Sequence, residues 1–218
     1  MKSESKPTRP YRQTARAKAA EITGERIIGA FLDRLRANWF DEIRLDDIAT
    51  EAEVTVQTVI RRFGGKDGLL EASFKHLQVE MVEARQLPVG DVRAAVDAII
   101  KDYEQHGDFV IRLLAQEERY AAIRALTDFG RKDHRRWVGE VFEPWLEQLE
   151  EHARNTALDR LVIALDIYIW KLVRVDMKRG RDALRDTMLT LCATALNIDP
   201  KALEKRPSRG KTNVESET

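Results

Sequence analysis

Three features of the sequence predict an all-α chain in two parts. Apolar residues recur at helical spacing over most of the 218 residues, and no strand-like alternation persists anywhere. Two very short amphipathic segments follow one another between residues 45 and 63, in the proportions of a helix-turn-helix. Gln86, Leu87, Pro88, Val89 and Gly90 then interrupt the pattern, separating an N-terminal domain, 15–86, from a helical domain, 91–198. Residues 1–14 are expected to form a flexible basic arm and residues 199–218 a charged, disordered tail.

The arm carries Pro7 and Pro10, and residues 1–18 set Lys2, Lys6, Arg9, Arg12, Arg16 and Lys18 against Glu4 alone. That charge suits phosphate contacts as well as it suits a solvated tail. A helix is expected over 15–38 with Ile27, Ile28, Phe31, Leu32 and Leu35 buried, weakened at Gly24 and Gly29 and ended by Trp39 and Phe40. Leu45, Ile48, Ala49 and Ala52 stripe one face of the first short helix, opposite Asp46, Asp47 and Glu51. Thr55 is a good N-cap for the second, whose apolar face is Val56, Val59, Ile60 and Phe63. Gly64 and Gly65 stop it, and Lys66 opens a helix of about 20 residues striped by Leu69, Leu70, Phe74, Leu77, Met81 and Val82.

The polar side of the second short helix carries the functional argument. Gln57, Thr58, Arg61 and Arg62 lie between its apolar residues, and no acid occurs from Val54 to Lys66. Arg to guanine and Gln to adenine are the favoured major-groove pairs, while Thr and Lys suit phosphate or a thymine methyl. An Arg-Arg pair alone is usually a solvated face; the short-helix spacing, the glycine stop and the lysine-led helix together point to duplex DNA.

The run from the WFDEI corner through LDDIATEAEV to TVQTVIRRFGGKDGLLEA resembles the DNA-binding domain of the tetracycline-repressor-type (TetR) family of bacterial transcription regulators. Ile48, Ala49, Val54, Thr58, Phe63, Lys66, Leu69 and Leu70 match its pattern, and the likeness covers roughly residues 23–77. Three positions depart from it. Glu53 stands where Gly is common, Ile60 where Tyr is common, and Arg44 where Thr is usual near the first short helix. The residues expected to meet DNA are Arg44, Thr55, Val56, Gln57, Thr58, Arg61, Arg62 and Lys66.

Beyond the break, helices are expected over 91–105 and 109–117, divided by Gly107 with Asp108 as a cap, and then over 119–129. Another, over 133–152, would be kinked at Pro144. Asn155 and Thr156 separate it from a long helix over 158–179 closed by Gly180, and Asp182 caps a last one that Asn197 and Pro200 end. Residues 161–173 are apolar on nearly all sides, which suits a core or an interface equally. The need to present two reading helices one DNA turn apart favours an interface, and the family likeness implies the same, so a homodimer through about 158–196 is expected.

The resemblance also implies a small-molecule effector pocket in the second domain, for which Tyr103, Arg112, Tyr120, Trp137, Asp166 and Trp170 are the candidates. Aromatics at this spacing more often form core. Asp166, a carboxylate in a buried run, is expected to pair with Arg112, Arg174 or a hydroxyl.

Composition narrows the classes. A single cysteine, Cys192, rules out an intramolecular disulfide, and the four histidines fall far apart with no HExxH, so no metal or cofactor is expected. No GxSxG and no glycine-rich phosphate loop is present, so no enzyme is expected. No secretory h-region or membrane-length apolar run occurs, which favours the cytoplasm. The expected function is a transcription regulator, a repressor released by its effector. The rival readings are a helical protein-binding adaptor and, further off, a helical enzyme.

Overall fold

A computed structural model describes residues 9–83 and 89–204, and the described chain is helical throughout, with no strand. The expectations for residues 1–8, for the break at Gln86, Leu87 and Pro88, and for the tail beyond 204 lie outside the described residues. Two compact units emerge. Met1–Leu77 together with Ala115–Arg124 forms one, called the head below; Gln78–Leu114 with Ala125–Thr218 forms the other, the body.

In the head, α1 spans Arg9–Ala37, α2 Leu45–Glu51, α3 Val56–Phe63 and α4 Lys66–Glu83, with a single 3-10 turn at Phe40–Glu42 between α1 and α2. The first helix is already in place at Arg9, where the described residues begin, and so covers more of the sequence than its apolar stripe suggests. Ile27, Phe31 and Leu35 of α1, Phe40 and Ile43 of the corner, Ile48 of α2, Val59 of α3 and Leu69 and Leu70 of α4 are all buried. Phe40 is the centre of this core: its ring lies edge-on to Phe31 at 6.4 Å, and the Lys66 ammonium sits 4.9 Å from its centroid.

The body departs from the expected helix boundaries in four places. Helix α5, Val92–Leu114, is one unbroken 23-residue helix. Gly107 does not divide it but is buried, and a Cβ there would come within 2.5 Å of the Trp170 ring, so the glycine admits an indole. Helix α6, Ala121–Val141, likewise runs through Gly130 as one element. Pro144 does not kink a long helix; it occupies the first turn of the short α7, Glu143–Leu146, where its missing amide costs little.

Helix α8, Glu151–Ala164, runs through Asn155 and Thr156, and the break falls instead at Leu165 and Asp166. There the Asp166 carboxylate caps the short α9, Ile167–Trp170, by accepting from the Tyr168 amide at 2.9 Å. The Leu165 carbonyl accepts from the Tyr103 hydroxyl at 3.1 Å. The chain then winds as a π-helix over Lys171–Asp176, and α10, Arg181–Leu196, follows. Asn197 ends α10 in the left-handed conformation as expected, but the chain continues in a 3-10 turn, Pro200–Glu204, whose Leu203 is buried with the body core.

Candidate nucleic-acid interface

Helix α3 is set by caps only a few residues apart. Thr55 Oγ1 accepts from the Thr58 amide at 3.2 Å, starting α3, and Gly64 ends it at φ 78°, the left-handed cap that glycine favours. Between α2 and α3 Glu53 adopts φ 52°, a conformation that costs a non-glycine residue free energy. Arg44 is the N-cap of α2 and its side chain makes no capping bond.

Helical spacing sorts the side chains of α3. Val59 is buried and Val56 and Phe63 are partly so, whereas Gln57 and Arg61, one turn apart, are exposed on the same side. Ile60, expected on the apolar face, is 40% exposed, because it lies at the rim of that stripe beside Gln57 and Arg61. Thr55 is exposed and Thr58 partly buried, their hydroxyls 3.0 Å apart. Acids on neighbouring elements are matched from α1: Arg34 meets Glu51 at 3.0 Å and Asp47 at 4.0 Å, and Arg26 meets Glu53 at 3.0 Å. These exposed pairs add at most about 1 kcal/mol each. Their consequence is electrostatic: acids beside the reading helix are partnered, so the cationic character of α3 stands out.

Two cations of the expected set are engaged within the head. Lys66 Nζ donates to the carbonyls of Phe40 and Asp41, at 2.9 and 3.2 Å. Arg62 lies over the Phe63 ring and against α1, where a Cβ at Gly24 would come within 2.7 Å of its Cζ. Gly24, read from sequence as a weak point of a helix, is the floor on which that guanidinium rests. Gly68 went unnoticed in the sequence; a Cβ there would run into the carbonyl oxygen of Phe63, so its bareness lets α4 turn in against the end of α3. No sequence pattern announces such a contact beyond the glycine itself.

The residues proposed for a pocket divide between the units. Tyr103 and Trp170 pack together in the body, ring centroids 6.3 Å apart, and Trp137 is buried there with Arg112 partly so. Asp166 is held by the Tyr168 amide, with Arg131 the nearest cation acting on it, and burial pushes its pKa up. Arg174, an expected partner, bonds Glu104 instead, at 2.7 Å, and holds that carboxyl below its ordinary range. Tyr120 lies in the head, away from this group by unit, against Phe40 and Asp41. Cys192 is buried and its thiol pushed up to about 12, which keeps it protonated.

Short α2 and α3 joined by a tight turn, with α3 offering an acid-free polar side, have the form of a helix-turn-helix. Residues 40–73 match the model for bacterial regulatory proteins of the tetR family. The fold is similar to that of a tetR-family transcriptional regulator from Streptomyces coelicolor, with TM-score 0.64 and 19% identity, covering 84% of this chain and 87% of that one. No curated protein matches by sequence. Residues 40–73 of the head are thus similar to a segment of tetR-family regulators, and the chain has a fold similar to that of one such regulator. Among the described residues no helix is long and apolar enough to cross a membrane.

Proposed function

We propose that the chain is a dimeric repressor, with α3 of each copy in the major groove of a roughly palindromic operator and a small molecule in the body altering its affinity. The observation that carries it is the outer side of α3: Gln57 and Arg61 exposed one turn apart, no acid on the helix, and Ile60 beside them to meet a thymine methyl. Arg44 and Thr55 stand at the starts of α2 and α3, where amides point outward and phosphate is favoured. Lys66 and Arg62 act from within the head, shaping the surface that α3 presents.

Pairing has its own support. Ile163, Tyr168, Leu172, Val175, Met177 and Leu191 are all exposed apolar residues between 158 and 196, Ile163 at 63%. The intrachain core leaves them uncovered, and a second copy would bury them. Effector control rests on the aromatic group of Tyr103, Trp137 and Trp170 in the body, and requires different effector affinities in two spacings of the heads.

The test is a titration of fluorescent genomic duplexes, beginning beside the protein's own gene, across a salt series. Arg61→Ala and Gln57→Ala are expected to cost about 1 to 3 kcal/mol on the selected site and to relax base preference. Unchanged affinity in both variants would remove α3 as the reading helix. Leu172→Glu is expected to yield monomers in sedimentation at micromolar concentration.

A further inference from the structure

The head is not built from a continuous stretch of sequence. Ala115–Arg124, the connection between α5 and α6, belongs to it, although more than thirty residues of body precede that connection. Its contacts converge on one corner, the 3-10 turn after α1. The Phe40 amide donates to Gln116 Oε1 at 3.2 Å, a bond buried from solvent. The Tyr120 ring meets Phe40 edge-on at 4.8 Å, and its hydroxyl donates to Asp41. Arg119 reaches the other Asp41 oxygen at 2.7 Å.

From the opposite side, Lys66 at the start of α4 holds the carbonyls of the same two residues. One corner therefore has its amide, its carbonyls, its ring and its carboxylate all taken by side chains from elsewhere in the head. The corner joins α1 to α2, which packs on α1 and carries α3, so its conformation bears directly on how α2 and α3 are set.

We infer that Gln116, Arg119 and Tyr120 are positioning residues for the reading helix: a strap that clamps the Phe40–Asp41 corner and completes the DNA-binding unit. The inference deepens the DNA-binding reading above and depends on it for its functional meaning, but its structural part stands alone. The Tyr120 hydroxyl, and after it Arg119 and Lys66, hold the Asp41 carboxyl below its ordinary value.

The test uses the full chain and two readouts. Amide hydrogen exchange in Tyr120→Phe, which removes one hydroxyl and keeps the ring, should quicken over 45–63 about tenfold while α10 keeps its wild-type protection. Arg119→Ala, an exposed change that leaves the core alone, should act in the same sense and more weakly. A random-sequence 30-base-pair duplex at low salt supplies the second readout, with Tyr120→Phe binding several-fold more weakly than wild type. Unchanged exchange over 45–63 in both variants, or equal acceleration in α10, would overturn the strap. Should exchange respond as expected while wild type fails to bind any duplex, the strap stands and the DNA-binding reading falls.

Discussion

The head and the body are equally helical, yet their helix ends are decided at different ranges. In the head, α3 is bounded by a threonine cap on one side and a left-handed glycine on the other, both within ten residues. In the body, the break after α8 is completed by Tyr103 from a helix 62 residues away, and the continuity of α5 at Gly107 depends on Trp170. Intrinsic helix preferences amount to about 1 kcal/mol per glycine, comparable with what a well-packed aromatic contact contributes, so Gly107 does not break a helix against which an indole packs.

Glycine substitutions break this comparison most sharply. Gly68→Ala should cost about 3 kcal/mol in urea unfolding, since the added methyl meets a backbone oxygen that cannot step aside. In the body, Gly107→Ala should cost about 1 to 2 kcal/mol net, overlap with Trp170 outweighing alanine's gain in helix preference. A more stable Gly107→Ala would show that the glycine serves no ring.

Two aspartates give a subtler contrast, because their surroundings move them in opposite directions. Asp41 is lowered from 3.8 by the Tyr120 hydroxyl, so its stabilising effect is present above that value and lost as pH falls through its folded pKa. Asp166 is raised from 3.8 by burial, so it favours folding below that value and loses this as pH rises through its folded pKa. Asp41→Asn should accordingly lower the melting temperature at neutral pH, while Asp166→Asn, still able to accept from the Tyr168 amide, should maintain or raise it. Thermal melts at pH 3 and pH 7 separate the two.

The smallest effect expected is at Glu53. Replacing it with Gly relieves the positive φ but loses an exposed ion pair with Arg26, so a gain of about 0.5 kcal/mol should appear in the same urea assay.

The reading helix was legible from sequence because Thr55, Gly64 and the acid-free run act through bonds that span three or four residues. Positive φ at Glu53 was foreshadowed only by the family likeness, in which glycine is common at that turn. The engagement of Lys66 and Arg62 was not, since a cation on a helix looks the same whether it faces phosphate, a carbonyl or a ring. Tyr120 was placed by sequence among body aromatics, and its place in the head rests on a connection whose contacts skip 79 residues, to Asp41.

The amino-acid order alone thus determined the helical class, the helix-turn-helix and its polar side, because periodicity and capping are short-range and additive along the chain. Tertiary structure decided which breakers break, which cations stay on the surface, and that a loop from between two stretches of the body finishes the head. Those outcomes turn on steric fit and hydrogen-bond partners brought together from distant segments, which no local pattern encodes.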